Sequence, residues 1–180
     1  MLQVSAPSAP SARPDRTDPW GRQDQLDQQD RREHLETQEL ALAPTDIAAL
    51  TTSQMFNGLG AAQVGALSTA QAAALGSSQL PVLGTLQLAV LNTSQIAAFR
   101  TSQIQTLVSS QIAALSTTQI EALTSGQIGV LSAGQIAALD ITQTAAFTTS
   151  QITALNSAQT AYLSTTQATA LDSPQLVALA

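Results

Sequence analysis

Several kinds of residue that support chemistry or strong surface charge are absent from this 180-residue chain, or rare in it. There is no cysteine, which excludes disulfides, thiolate zinc sites and cysteine nucleophiles. There is no lysine, and five of the six arginines precede residue 40, against twelve acidic residues in all. With a net charge of −6 and so few cations, the chain is predicted not to bind nucleic acid.

Aromatic residues and long apolar runs are also scarce. Aromatics make up 3% of the chain and charged residues 10%, so the 44% of hydrophobic residues, mostly Ala and Leu, must form a core from small pieces. No run approaches the roughly 18 apolar residues that a membrane span needs, and the N-terminus lacks the apolar segment of a Sec-type signal peptide. The sequence therefore predicts no membrane insertion, and leaves a cytoplasmic location or non-classical secretion open.

Residues that could carry catalysis do not converge in the sequence. His34 is the only histidine, and it is interpreted as a solvated residue outside the repeats described below. Hydroxyl groups are abundant, but a nucleophile also needs a base and an orienting group. No glycine pattern suits a phosphate loop, and no acidic pattern suits a calcium site. We predict that the chain is not an enzyme and has no catalytic, cofactor-binding or metal-binding residues.

The composition divides the chain into three segments. Residues 1–22 are rich in Pro, Ser, Ala and Arg and are predicted to be a disordered tail. Residues 23–43 combine good helix formers with interleaved charges, which predicts a charged helix or linker. Residues 44–180 are dominated by a short tandem repeat.

The repeat has a period of eight residues. Glutamine occurs at every eighth position from 63 to 175, fifteen times without a gap, and Leu follows four residues later except at Phe99 and Phe147. Asp46 with Leu50, and Gln54 with Leu59, are earlier and less regular copies. Phe99, Phe147 and Tyr162 are predicted to be core or near-core variants.

The position three residues before each glutamine predicts what each octad forms. Ten of these fifteen residues are Ser, Thr, Asn or Asp and three are Gly, the types that begin helices. A capping box needs Glu or Gln three residues after such a cap, and Gln is always there. A continuous helix does not fit, because eight residues leave each Leu rotated by about 80° from the last. Each octad is therefore predicted to be one short, capped helix.

These helices are too short to be stable alone, so they must pack on one another. The predicted fold is an all-α solenoid; the alternative is a β-solenoid, since Thr and Ile favour strands. Residues 76–91 are the least regular stretch, because Pro81 lies inside a predicted helix and Gly84 at a cap. The predicted caps pair Ser116 with Gln119, Ser132 with Gln135, and Ser164 with Gln167. The predicted apolar spine contains Leu115, Ile120, Leu123, Ile128, Leu131, Ile136 and Leu139.

The consensus L-[ST]-[ST]-x-Q-I-x-A-L resembles a class of bacterial octapeptide-repeat proteins, most clearly at residues 109–140, SSQIAALSTTQIEALTSGQIGVLSAGQIAALD. The resemblance covers about residues 44–180. It implies a part of a large secreted or surface protein and identifies no functional residues.

Three functional hypotheses follow from the sequence. The first is a structural or interaction module, a scaffold or spacer that presents a Ser/Thr-rich surface to a protein or glycan partner. The second is a self-assembling protein that stacks end to end as a surface fibre. The third, based on the Ser/Pro/Ala-rich tail, is a secreted effector that acts on a host.

Overall fold

The computed structural model describes residues 43–180, which include the whole octad repeat. The predicted tail 1–22 and nearly all of the predicted helix or linker 23–43 lie outside the described residues, as do His34 and five of the six arginines. The α-helices of the described chain are Pro44–Ala49 (α1), Thr52–Gly58 (α2), Ala61–Gly65 (α3), Thr69–Ala74 (α4), Thr85–Ala89 (α5), Thr93–Ala98 (α6), Thr101–Thr106 (α7), Ser109–Ala113 (α8), Thr117–Ala122 (α9), Ser125–Ile128 (α10), Ala133–Ala137 (α11), Ile141–Ala145 (α12), Thr149–Ile152 (α13), Ser157–Ala161 (α14), Thr165–Thr169 (α15) and Ser173–Leu179 (α16). No strand occurs between residues 43 and 180. The prediction of an all-α solenoid is confirmed, and the β-solenoid alternative is wrong.

The chain changes direction through extended residues at each helix start, and two such residues separate α9 from α10. Between α9 and α10, Leu123 has φ −63° and ψ 133°, and Thr124 has φ −69° and ψ 156°. The extended conformation at Thr124 is the usual one for an N-cap residue, so the cap both starts the next helix and forms half of the corner. One corner per octad follows directly from one cap per octad.

The helices stack with a step of three octads. Helix α6 contacts both α4 and α9, each three helical segments away along the chain, and the other helix pairs in contact follow the same step. We call three consecutive octads a coil, so each coil has three helical sides and each helix packs on the helix of the coil before it. Near the start the step is one residue longer, because Gln54 and Gln63 are nine residues apart.

The interior of the solenoid is filled from two positions of each octad. One is the residue directly after the glutamine, which we call the core position; the other is the closing position, usually Leu, four residues after the glutamine. Leu115 is 3% exposed and Ile120 is 0% exposed, values typical of the closing and core positions. The remaining predicted spine residues are also buried: Leu123, Ile128, Leu131, Ile136 and Leu139.

Small residues line the contacts between coils. A Cβ added to Gly129 would lie 3.3 Å from the carbonyl oxygen of Ala154, one coil later, and a Cβ on Gly65 would lie 3.4 Å from that of Val90. The residue before each closing Leu is mostly half-buried at this contact. It therefore permits close approach of the helices without facing the interior, which is filled by larger side chains.

The octad of residues 76–83 departs from the α-helical pattern. It forms the 3-10 helix Leu80–Val82 between α4 and α5. Pro81 has no N–H to donate to the carbonyl four residues earlier, which disfavours an α-helix there. The next octad keeps its α-helix, α5, although its N-cap is Gly84. The irregularity predicted for residues 76–91 is thus confined to its first octad.

Candidate functional site: glutamine ladders and a hydroxyl surface

Each octad whose cap is Ser, Thr, Asn or Asp begins with a hydrogen-bonded exchange between that cap residue and the glutamine. In α9, Ser116 N–H donates to Gln119 Oε1 at 2.8 Å, and Gln119 N–H donates to Ser116 Oγ at 3.2 Å. Ser132 and Gln135 make the same two bonds at 2.7 and 3.3 Å. Ser164 and Gln167 make them at 2.8 and 3.2 Å.

The glutamine half of this exchange does not depend on the cap side chain. Arg100 and Val108 have no side-chain acceptor, yet their backbone N–H groups donate to Gln103 Oε1 at 2.6 Å and Gln111 Oε1 at 2.9 Å. The glutamine therefore tolerates a missing cap hydroxyl, which explains how Gly, Arg and Val occur at this position.

From Gln79 onward, the other end of the octad amide reaches across to the preceding coil. Gln119 Nε2 donates to the carbonyl oxygens of Leu88 at 2.9 Å and Leu91 at 2.7 Å, which lie 31 and 28 residues earlier. These carbonyls belong to the core and closing positions of the octad four before. Gln135 and Gln167 donate to the equivalent carbonyls: Ile104 at 2.9 Å, Leu107 at 2.7 Å, Ile136 at 3.1 Å and Leu139 at 2.8 Å.

Because Gln recurs once per octad and each coil has three octads, the amides form three ladders, one along each corner of the solenoid. Gln95 is 0% exposed and Gln119 is 3% exposed, so this network is shielded from water. Within the described chain, no buried side-chain N or O atom lacks a hydrogen-bond partner. A buried amide satisfied at both ends stabilises the fold without a free polar group.

Interpreting the glutamine as a capping partner accounts for its Oε1 but not for its Nε2. The bridging role was missed, although the sequence contains a signal for it. Glu would serve equally well in a capping box, yet none of the fifteen regular octads has Glu there. Glu has no N–H to donate to a carbonyl of the preceding coil.

The outer surface is lined by small hydroxyl side chains. The two residues before each glutamine are exposed in nearly every octad, and the first of them is Ser or Thr in twelve of fifteen. Ser125 Oγ donates to the carbonyl oxygen of Ser150 in the next coil at 3.1 Å. The hydroxyl rows of successive coils therefore adjoin, and form a hydroxyl surface that continues along the solenoid.

This surface carries few charges. The charged residues of the described chain are Asp46, Arg100, Glu121, Asp140 and Asp172, all of them exposed. The Thr142 hydroxyl and the Gln143 N–H both donate to Asp140 Oδ1, at 2.6 and 2.7 Å, and together they lower the pKa of Asp140 below its ordinary value. Asp140 is thus a cap that is held in its ionised form.

Some large apolar and aromatic side chains of the described chain are exposed: Leu86, Val90, Val108, Ile141, Tyr162, Leu176 and Val177. Phe99 and Phe147 are buried, as befits closing positions, but Tyr162 is 57% exposed, so the prediction of a near-core tyrosine is wrong. Tyr162 lies at the half-buried small position, where Ala is usual, and its ring is too large to fit between coils.

Two further kinds of feature, a cluster of metal ligands and a membrane-spanning helix, are absent from residues 43–180. No three His, Cys, Asp or Glu side chains lie close enough there to hold a metal ion. None of the helices described has the length and apolar character that crossing a lipid bilayer requires.

The comparisons with known proteins support the repeat itself. The sequence model of the ALTTAQ repeat matches this chain twice, at residues 73–109 and 106–141. Neither a curated protein nor a solved structure matches the chain. The matched residues lie in the octads of the central coils, so residues 73–141 are similar to the ALTTAQ repeat, which supports the assignment of this segment as a tandem repeat.

Proposed function

We propose that the solenoid is a non-catalytic scaffold or spacer that presents its hydroxyl surface to a protein or glycan partner. The observation that carries this proposal is the division of polar groups. The buried amides are hydrogen-bonded within the fold, whereas the hydroxyls of the outer rows face solvent. The groups left free to meet a partner are therefore neutral hydrogen-bonding groups on a stable framework.

The spacing of these groups suits an extended partner. The hydroxyls of Thr93 and Thr117 lie on stacked helices of adjacent coils and make no hydrogen bond to any described residue. Thr101 and Thr149 occupy the same octad position on another side of the solenoid, and their hydroxyls are likewise free of described partners. A glycan or polypeptide lying along one side of the solenoid would meet a hydroxyl group at the same octad position in coil after coil.

The test is binding of the full chain to an array of neutral glycans, followed by two matched double variants. Thr93→Val with Thr117→Val removes two hydroxyls from one side, and Thr101→Val with Thr149→Val removes two from another, with little change of shape. We expect one pair to weaken binding by about thirtyfold and the other to leave it unchanged, because two lost hydrogen bonds of about 1 kcal/mol each amount to about 2 kcal/mol.

Ionic strength separates this mode of recognition from a charge-driven one. Binding through hydroxyls should change less than about twofold between low and high salt, because charged contacts between exposed groups are the ones that salt screens. Binding that disappears at high salt, or that neither double variant alters, would contradict recognition by the hydroxyl surface. Failure to bind any glycan would restrict the proposal to a protein partner.

A further inference from the structure

The three sides of the solenoid differ in chemistry. One of them consists of the stacked helices α3, α5, α8, α11 and α14, and we call it the apolar side. The outward positions of an octad are the two residues before its glutamine and the second and third residues after it. On the apolar side four of these twenty residues are polar, compared with ten and eleven on the other two sides, and none is charged. This side is therefore the least polar part of the outer surface.

Four of the seven large apolar or aromatic side chains that are exposed in the described chain belong to the apolar side. Leu86 is 77% exposed and Val90 is 44% exposed, and the two adjoin because they lie four residues apart on α5 and its C-cap. Val108, the N-cap of α8, is 46% exposed, and Tyr162, the C-cap of α14, is 57% exposed. Exposed apolar groups that gather on one surface in this way mark a contact site.

Large and small side chains of the apolar side are distributed evenly about α8. The large ones belong to the octads of α5, one coil before α8, and of α14, two coils after it. The octads of α11, one coil after α8, and of α3, two coils before it, have only Ala and Gly at their outward positions: Ala61, Ala62, Gly65, Ala66, Ala133, Gly134, Ala137 and Ala138. Each octad with large side chains thus has a counterpart with small ones at the same distance from α8.

We propose that two copies of this chain pack by their apolar sides, with their stacks running in opposite directions about a two-fold axis along α8. This rotation places α5 of one copy opposite α11 of the other, and α14 opposite α3. Residues at the same octad position then face each other, so that Leu86 lies over Gly134. Tyr162 likewise lies over Ala66, and Val108 meets its own counterpart beside the axis.

Two pairings of large with small octads select this arrangement. The pair α5 with α11 and the pair α14 with α3 place the axis at the same helix, although neither pairing requires the other. In a dimer with parallel stacks each helix would lie opposite itself, so Leu86 and Val90 would collide with their counterparts while Ala137 faced Ala137 across a gap. Close packing favours large side chains beside small ones. The occupant is a second copy because the apolar side is complementary to itself.

The area of the apolar side suits a dimer. Five helices stacked at about 9 Å, on a side about 15 Å wide that holds one helix and one corner, give roughly 700 Å² per copy. A standard protein–protein interface buries about 800 Å² per partner. The side also has no charge to desolvate, so its burial carries no electrostatic cost.

The contact is isologous, since the same side is used by both copies, and it closes at two. It leaves the other two sides free, and these carry Thr93, Thr117, Thr101 and Thr149. The association is therefore independent of the proposed function, which uses those hydroxyls.

The first experiment measures the mass of the full chain by sedimentation equilibrium from low to high micromolar concentration. We expect the mass to rise from one chain towards two. Leu86→Glu should weaken the association constant by at least about tenfold, because it places an unpaired charge in the apolar contact at two symmetric places. Its matched control is Ile141→Glu, which should have little effect, because Ile141 is 53% exposed on another side.

A pair of variants separates close fit from general stickiness. Gly134→Leu adds apolar surface that the single chain can accommodate, since an added Cβ would lie 3.5 Å from Ser109 Oγ. It should nevertheless weaken association by at least about tenfold, because the new side chain occupies the space of Leu86. The double variant Leu86→Ala with Gly134→Leu exchanges large and small residues, and should associate at least about fivefold more strongly than Gly134→Leu alone. Circular dichroism of each variant at low concentration checks that the fold is retained.

Cross-linking tests the register without background, because the chain has no cysteine. Ala113→Cys lies on α8, so a short bifunctional thiol reagent should join it to its own counterpart. Ala97→Cys, at the same exposed octad position on another side, should not be joined. Ala89→Cys mixed with Ala137→Cys should give a cross-linked dimer of the two variants, whereas either variant alone should give little, because its two thiols lie two coils apart.

A mass of one chain at every concentration would overturn the proposal, since the apolar side would then be free or covered by another partner or another segment of this chain. Equal weakening by Leu86→Glu and Ile141→Glu would overturn it too. Stronger association of Gly134→Leu would mean that apolar area, and not fit to Leu86, drives the contact. Equal cross-linking of Ala113→Cys and Ala97→Cys would contradict the choice of side.

Discussion

At the residue scale, the properties of the solenoid depend on one side chain, the octad glutamine. Its amide has an acceptor and a donor about as far apart as a helix start and the carbonyl of the adjacent coil require. The oxygen of Gln119 satisfies the start of its own helix, and the nitrogen satisfies the end of a helix in the preceding coil. Asn has the same groups on a shorter stem, and Glu lacks the donor. The invariance of this position within the chain follows from that double requirement.

A first prediction tests the donor alone. Gln119→Glu keeps the capping oxygen but faces a carboxylate towards two carbonyl oxygens in a site that is 3% exposed. We expect a loss of about 3 kcal/mol in the free energy of unfolding at neutral pH, measured by urea denaturation. The loss should shrink in acid, where a protonated carboxyl regains a donor.

The control for this prediction is Gln63→Glu, an exposed position whose Nε2 donates to no described residue. It should change the free energy of unfolding by less than about 0.5 kcal/mol, as is usual for surface substitutions. Similar losses at both positions would mean that bridging between coils contributes nothing beyond the cap.

A second prediction concerns acid at the cap of α12. The pKa of Asp140 is lowered by the Thr142 hydroxyl and the Gln143 N–H, so the folded protein holds this carboxylate ionised more strongly than the unfolded chain does. The resulting stability is fully present above the ordinary Asp pKa and is lost as the pH falls through the lowered, folded-state pKa.

The measurement is the midpoint of urea denaturation of the wild-type chain and of Asp140→Asn, at neutral pH and at a pH below about 3. The second pH lies below the pKa of an ordinary Asp. Asn keeps a capping oxygen but does not titrate. We expect the free energy of unfolding of the wild type, relative to that of Asp140→Asn, to be lower in acid than at neutral pH. A difference that is constant with pH would contradict the assignment of this pKa shift to the cap.

At the element scale, short helices are possible here because each is held at both ends by neighbours. Helix α10 has only four residues, too few for a stable isolated helix. Its cap bonds satisfy its own start, and its buried Ile128 and the amide of Gln127 tie it to the adjacent coil. Helix stability therefore comes from packing and corner bonds more than from intrinsic propensity.

A third prediction compares two glycines of the same octad, Gly126 and Gly129, which differ in how much room surrounds an added Cβ. Gly126→Ala should stabilise the protein by roughly 0.5–1 kcal/mol, since the new Cβ would meet nothing closer than 3.9 Å and Ala is the better helix former. Gly129→Ala should give no such gain, because its Cβ would lie 3.3 Å from the Ala154 carbonyl oxygen. Thermal or urea unfolding of both variants measures the difference; equal gains would mean that the coils separate at no cost.

At the scale of the whole molecule, the chain behaves as a one-dimensional stack. Each helix contacts its counterparts one coil before and after it, and the ladders also join adjacent coils. Within the described chain, the central coils are packed on both sides, whereas the coil formed by α14, α15 and α16 is packed on one side only. Stability in such arrays is close to a sum of terms for neighbouring units, so it should vary along the stack.

A fourth prediction follows for hydrogen exchange of the monomer at low concentration. Backbone amides of α9 and α10 should exchange at least about tenfold more slowly than those of α14 to α16, since local opening requires fewer contacts to break at the end of the stack. The measurement is hydrogen–deuterium exchange with mass spectrometry. Uniform protection along residues 93–179 would mean that the solenoid opens as one unit and not coil by coil.

The sequence by itself determined the element that each octad forms. Ser, Thr, Asn or Asp followed three residues later by Gln defines a helix start through local hydrogen bonds, and these do not depend on distant residues. The same local chemistry predicted the departure at Pro81, which lacks the N–H that an α-helix needs. The burial of Ile and Leu was also predictable from the octad itself, because the two large apolar side chains of each octad must be shielded from water.

Only the tertiary structure decided how many octads complete a coil, and therefore which residues meet. An eight-residue period is compatible with two, three or four octads per turn of the solenoid, so the period alone does not give this number. The angle at each corner arises from the packing of helices across the interior and not from any single residue. That number sets the reach of Gln119 to Leu91 and makes three ladders out of one column of glutamines. It also places the hydroxyls of Thr93 and Thr117 on one side of the solenoid, where the proposed binding surface lies.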